Sequence, residues 1–400
     1  MTASVPATDV DAQTGAGSGP AGEPGAGLRP AGAGAPNECA DDQSTGTDAH
    51  TARTADDGDV AAAAAAAGSA TKIALARFFD AGARHAAGPD HQQLWSALAD
   101  VASGGKGLRP ALFHSVYLAL GGDDERAAAE VGAALELLHT ALVIHDDVID
   151  GDTVRRGRPN VTGIFADDSR ARGYDHDRAT HYGETAAILA GDLALTGAVR
   201  VLALCGASQP TVARMLDLLD RALHLSAAGE LTDVRLSMDA DAEIADAVDM
   251  EYQKTAVYSF ELPLQLASVL AGVEGYEPPL VEFGRLLGVT YQLHDDLDGM
   301  FGDEATIGKS VLTDLRGGKC TPLIAHARTT TFWPRIRPYL GSGSPDAAAQ
   351  VRALLEQSGS RAYVEELAQN LAAEARARVA DLPIAPLLQG WVRLITERAA

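Results

Sequence analysis

From residue 71 to the C-terminus, apolar residues recur at spacings of three and four, and no run of period-two alternation breaks the pattern. Between Ala128 and Asp150, for instance, Val131, Leu135, Leu138 and Leu142 fall on one stripe. That period buries one side of a helix, and a chain made only of such segments builds its core by packing helix on helix. Such stripes predict helices over 71–87, 92–102, 108–120, 128–150, 183–205, 210–236, 242–271 and 279–301, with shorter ones beyond 320. Gly and Pro punctuate them at Gly104-Gly105, Gly121-Gly122, Pro278-Pro279 and from Gly341 to Pro345. Pro263 falls inside a helical run, where it is expected to kink the helix or leave a carbonyl unpaired. The polar stretch 158–182, with Asp167, Asp168, Arg170, Arg172, Asp175, Asp177 and Arg178, lacks a stripe and reads as a long loop, of the kind that is either a functional lid or simply disordered. The economical architecture is one large all-α bundle of ten or more helices.

Composition divides the chain once. Residues 1–70 contain no Phe, Trp or Tyr, and their only large apolar side chains other than valine are Met1 and Leu28. Such a segment cannot bury enough surface to offset its ordering entropy, so 1–70 reads as a disordered Ala/Gly/Asp-rich tail and 71–400 as one folded domain. The tail holds ten acidic residues against Arg29 and Arg53, which leaves -15 of the formal charge of -23 to the domain. An acidic domain without clustered Lys and Arg argues against a nucleic-acid binder. Cys39, Cys205 and Cys320 are too scattered for a disulfide framework or a zinc site, which fits a reducing cytoplasm. The N-terminus has no early basic residue and no apolar run of the secretory kind. The most apolar later stretch, 185–207, is interrupted by Asp192 and Arg200 and does not read as a membrane span.

Two acid clusters carry the chemistry. In His145-Asp146-Asp147-Val148-Ile149-Asp150, Asp146 and Asp150 project from one helix face a turn apart, with Asp147 beside them. Like charges at that spacing repel, and hard oxygen ligands without Cys suit Mg²⁺ between them, although a solvated acidic helix face has the same look. The second cluster is His294-Asp295-Asp296-Leu297-Asp298, also on a predicted helix with apolar neighbours. Two such clusters facing each other across a bundle could hold several Mg²⁺ ions, and those ions a diphosphate. Cations surround them. Of 32 Lys and Arg residues only five are Lys, and Lys106, Lys254, Lys309 and Lys319 all lie in or beside these motifs. Lys106 and Arg109 sit at a loop-to-helix junction, where backbone N–H groups also favour anions. Arg155 and Arg156 follow the first cluster; Lys309 and Lys319 follow the second. Cations behind both clusters point to two anionic substrates, one held through metal and one directly by Lys and Arg.

These motifs resemble those of the trans-isoprenyl diphosphate synthases, the polyprenyl synthetase family, and are most like a bacterial geranylgeranyl diphosphate synthase. The likeness runs from about Lys72 to the end and rests on GGKGLRP (104–110), ELLHTALVIHDDVIDGDTVRRGRP (136–159), GETAAILAGDLAL (183–195), GELTDV (229–234), QKTAVYSFELPLQLAS (253–268) and YQLHDDLDGMFGDEATIGKSVLTDLRGGKCTPLI (291–324). It implies an all-α bundle around a deep central cavity, and a homodimer. Carried over position by position, it assigns isopentenyl diphosphate to Lys106, Arg109, His139 and Arg156. Asp146 and Asp150, with Asp295 opposite and Asp147 and Asp296 in support, would hold three Mg²⁺ on an allylic diphosphate. Arg155, Lys254 and Lys309 would neutralise that diphosphate as it leaves, with Lys319 nearby, and Gln292, Asp233 and Thr255 would help stabilise the allylic cation. Two positions depart from the family. The usual third aspartate of the second cluster falls at Gly299, with Asp298 one place early and about 100° away around the helix. Glu230 stands where Gln is usual.

The same resemblance places the wall that limits product length at Leu138, Ala141 and Leu142, one and two turns before Asp146. Without an aromatic at 141 or 142, geranylgeranyl diphosphate is the expected product, with farnesyl or longer diphosphates as alternatives. A class I terpene cyclase also uses aspartate-bound Mg²⁺ in an all-α fold, but it needs no second diphosphate site. A regulatory subunit would lack part of the acid or cation set. An acidic helical interaction protein leaves the placement of the lysines unexplained.

Overall fold

The computed structural model describes residues 57–239, 242–273, 275–302, 317–342 and 344–397. Among them the fold is helical throughout except for one minimal hairpin. In chain order the elements are α1 (Asp57–Arg84), α2 (Pro89–Ser103), α3 (Leu108–Ala119), α4 (Glu125–Ile149), β1 (Val154–Arg155), β2 (Arg158–Pro159), α5 (Val161–Ala171), α6 (His176–Ala203), α7 (Gln209–Met238) and α8 (Ile244–Glu251). A π-helix (Tyr252–Glu261) leads into α9 (Leu262–Ala271), followed by α10 (Glu277–Phe301), α11 (Pro322–Arg328), α12 (Trp333–Ile336), a 3₁₀ turn (Arg337–Tyr339), α13 (Pro345–Gln357), α14 (Ser360–Arg378) and α15 (Ala385–Thr396).

The stripe read on α4 is the middle of the core. Val131, Leu135 and Leu138 are buried, and α4 packs against α1, α3 and α6, while α10 lies between the π-helix and α14. Asp124 caps the start of α4 by accepting the Ala127 N–H, which satisfies a donor the helix itself cannot. By length and composition α4 and α6 are each apolar enough to cross a membrane; 78% of the apolar window of α4 is buried in the bundle, but only 44% of that of α6.

Helix α1 begins at Asp57 and carries the helix predicted over 71–87 further toward the N-terminus, because the alanine run 61–67 is the strongest helix former there is and needs no apolar stripe. Two expectations are corrected. The stretch 158–182 is not a loop: Asn160 caps α5 through Gly163 N–H, and Asp175 caps α6 through Arg178 N–H. The buried face of α5 is Val161, Thr162, Phe165, Ala166 and Ser169, small and mixed residues that form no aliphatic stripe. The run 242–271 is three segments, α8, the π-helix and α9, with Pro263 in the first turn of α9. The change of helical register lands beside the residue that has no N–H to give, so no separate kink is needed.

Candidate active site

The site is built around the C-terminal end of α4. Directly after it, β1 and β2 pair Val154 with Pro159 and Arg155 with Arg158. The turn between them is Arg156 and Gly157, both left-handed at φ 54° and 70°. Two consecutive left-handed residues make the tight hairpin whose twist matches its strands, and Arg156 bears the strain of a side chain at positive φ. Arg155 donates from Nε to Asp147 Oδ1 (2.6 Å) and from Nη2 to Asp146 Oδ2 (2.9 Å). Arg156 turns the other way and donates to the Gly104 carbonyl, tying the hairpin to the glycine loop before α3.

Lys254, on the π-helix, is the hub. Its ammonium lies 3.0 Å from Asp146 Oδ1, 3.0 Å from Glu230 Oε2 and 2.7 Å from Asp233 Oδ2, with its side chain only 17% exposed. Helix α7 reaches it because Gly229 has no side chain: a Cβ there would stand 2.3 Å from the Lys254 backbone nitrogen. Lys319 bonds Asp150 at 2.5 Å. Burial opposes charge on Asp146, but Lys254, Lys319 and Arg155 outweigh it and bring its carboxyl down to about 2. Burial also disfavours the charged ammonium of Lys254, and Asp146, Asp233 and Glu230 more than compensate, raising its affinity for the proton. Asp147 behaves differently: burial pushes it up to about 6 against the pull of Arg155.

The second cluster joins the first through α8. Glu251 is buried at its C-terminal end, and its carboxyl is held well above the usual range by burial and by Asp296, Asp233 and Asp295 around it. Asp295 is exposed, and Gln292 donates to Asp296 Oδ1 at 3.4 Å. Thr255 follows Lys254 on the π-helix and is half-buried. Asp298 faces away, as its register implies: it lines a cavity of about 390 Å³ with His294, Phe301, Arg361 and Glu365, on the side of α10 toward α14. Lys309 lies outside the described residues.

The residues expected to bind an anion from GGKGLRP have partners other than the aspartates of the hub. Lys106 is exposed in its loop, and Gly107, left-handed at φ 64°, starts α3. Arg109 is buried and donates from Nε and Nη2 to Ser259 Oγ and from Nη2 to the Tyr258 hydroxyl. His139 stacks on Tyr258, and burial followed by the nearby Arg109, Arg156 and Arg155 lowers its pKa well below the ordinary value, so it is neutral. Glu136, which sequence reading passed over, is buried between Arg109 and Arg156, its Oε2 close against Gly105. Tyr258, Ser259 and Glu251 were missed as well; each sits in or beside a recognised motif, but spacing alone does not say which way its side chain turns.

Of the residues expected to bound the product, Leu138 and Leu142 pack in the main core, whereas Ala141 packs in a separate cluster with Leu94, Trp95, Ile144 and Phe165. The acid end of the bundle is drawn together by ion pairs, and open cavities of about 390 and 330 Å³ lie elsewhere, the second between α2 and α6. Among the described residues no three His, Cys, Asp or Glu side chains are gathered as a closed ligand group. The donors nonetheless fit a hard divalent cation: Asp146 and Asp150 present carboxylate oxygens one turn apart, each now on a side-chain cation that a metal could replace. Asp147 fits less well, being buried and engaged by Arg155.

Fold and site together define an all-α isoprenyl synthase type of protein. The polyprenyl synthetase family model matches residues 91–357. A geranylgeranyl diphosphate synthase of Sulfolobus acidocaldarius is 34% identical over 56% of this chain and 62% of its own length. A (2E,6E)-farnesyl diphosphate synthase of Mycobacterium bovis is 30% identical over 74% of this chain and 80% of its own. The crystal structure of geranylgeranyl pyrophosphate synthase from Corynebacterium glutamicum, complexed with isoprenyl diphosphate and magnesium, superposes with a TM-score of 0.78 at 30% identity, covering 83% of this chain and 98% of that one. The chain belongs to the polyprenyl synthetase family and is a prenyltransferase by that membership.

Proposed function

We propose that the chain condenses isopentenyl diphosphate with an allylic diphosphate in a Mg²⁺-dependent reaction that releases diphosphate, with geranylgeranyl diphosphate as its main product. The observation that carries this reading is the presence of two cation sets with different partners: Lys254, Arg155 and Lys319 pair with the aspartates, while Arg109 and Arg156, with neutral His139 near them, bond Ser259, Tyr258 and the glycine loop instead. A terpene cyclase has no use for the second set.

Asp146 and Asp150, with Asp295 from the other cluster, would hold Mg²⁺, which when bound supplies Lewis-acid stabilisation to a departing diphosphate. The chain's own residues do the rest. Lys254, Arg155 and Lys319 are preplaced cations whose N–H groups would stabilise the leaving group's oxygens, where charge develops as the allylic C–O bond ionises. Asp233, Glu230, Thr255 and Gln292 leave negative and dipolar atoms where the allylic cation forms. Arg109, Arg156, Lys106 and neutral His139 hold isopentenyl diphosphate so that its double bond meets the cation. The proton then lost goes to the departed diphosphate, since none of these side chains is placed as a base. Packing around buried Leu138 and half-buried Leu142 would exclude the water that quenches the cation.

Incubation with Mg²⁺, isopentenyl diphosphate and each common allylic diphosphate, followed by mass analysis, should yield a C20 diphosphate. A product formed from an allylic substrate alone would point to a cyclase. Ala141→Phe should shorten the product toward C15; an unchanged product length would remove position 141 from the wall.

A further inference from the structure

Arg109 is not simply an exposed cation at the mouth of a loop. It is 9% exposed, and its guanidinium is anchored from the far side of the sequence. Ser259 Oγ accepts from Arg109 Nε at 3.1 Å and from Nη2 at 2.7 Å, and the Tyr258 hydroxyl accepts from Nη2 at 3.1 Å. The guanidinium carbon also lies 4.9 Å from the centre of the Tyr258 ring. These bonds use Nε and Nη2 and leave Nη1 without a hydrogen bond among the described residues. The Tyr258 hydroxyl, having accepted from Arg109, keeps its own proton to give, and it lies 3.4 Å from His139 Nδ1. A neutral imidazole that accepts at Nδ1 carries its proton on Nε2. Ser259 is fully buried, and it is five residues after Lys254, the spacing of the i→i+5 hydrogen bond, so the π-helix presents the two from neighbouring turns. A hydroxyl buried against a guanidinium adds little hydrophobic burial; what it supplies is orientation.

We infer that Ser259, with Tyr258 beside it, is the positioning residue of the metal-independent diphosphate site, anchoring Arg109 with Nη1 left for the anion and fixing His139 as a donor from Nε2. This rests on the functional reading above and assigns the alignment of the isopentenyl diphosphate site to residues that touch no diphosphate themselves. It separates the two substrates: the anchor serves the site around Arg109 and leaves the metal-linked site at Lys254 alone.

Steady-state kinetics of the full chain with Mg²⁺, isopentenyl diphosphate and an allylic diphosphate test it. Ser259→Ala should raise KM for isopentenyl diphosphate about tenfold, the scale of one hydrogen bond to a charged group, with the allylic KM and kcat within about twofold of wild type. Ser259→Thr keeps the hydroxyl and should restore the wild-type KM. Tyr258→Phe, which keeps the ring, should give the same selective rise and carries the test if Ser259→Ala does not fold. An unmoved KM for isopentenyl diphosphate in these variants, or both KM values and kcat shifting together, overturns the assignment alone. No turnover by the wild-type chain with any allylic partner overturns the functional reading, and this assignment with it.

Discussion

Lys254 shows how much one side chain can hold together. Three carboxylates from two helices meet its ammonium, and its removal would leave them packed side by side with their main counter-charge gone. Lys254→Ala should therefore destabilise the fold by about 3 kcal/mol, the usual consequence of stripping one partner from a buried ionic cluster, and lower kcat by roughly a hundredfold or more. Urea denaturation and initial rates check the two separately; a stable but inactive variant would mean the carboxylates rearrange onto Arg155 and Lys319. Much of this residue-level picture was legible beforehand. The scarcity of lysine, and its confinement to a few motifs, singled out Lys254 and Lys319 before any contact was known. Ser259 carried no such mark, since a buried serine in a helical run looks like filler until the arginine it holds, 150 positions away, is seen against it.

At the scale of elements, the contact of α1 with α3 contributes to how the protein responds to pH. His114 on α3 is buried against α1, its Nε2 2.9 Å from Thr71 Oγ1, and burial pushes its pKa from 6.5 down to about 4. The unfolded chain therefore takes up the proton first. The stabilisation is complete above about pH 6.5 and is lost as pH falls toward 4, at a rate approaching 1.4 kcal/mol per pH unit. Urea midpoints at pH 7, 6 and 5 should fall more steeply for wild type than for His114→Gln; equal slopes would show that His114 does not report the packing of α1 on α3. Elements were read correctly where one apolar stripe of ordinary α period was present. They were misread where the period changes, in the π-helix, or where the buried face consists of small residues, as in α5. Tertiary packing decides such segments, because small or mixed faces bury little area on their own and join the fold through the surface a neighbour offers.

For the whole molecule the outstanding feature is the outer face of α6. Ile188, Leu189 and Val199 are 46%, 51% and 40% exposed on one side of a helix whose other side packs against α4 and α5. We propose this stripe as the seam of a homodimer. Sedimentation should find a dimer in wild type and a monomer in Leu189→Glu; a monomeric wild type would leave that face without this role. The sequence by itself determined the helical class, the two acid clusters and the cations near them, because periodicity and charge spacing are local and survive without a partner. Only the tertiary structure decided which acids share Lys254, that Asp147 turns inward to Arg155 while Asp295 stays exposed, and that Arg109 is anchored from the π-helix. Those outcomes depend on how helices cross and on the width of one helical turn, and neither is written in the spacing of residues along a single segment.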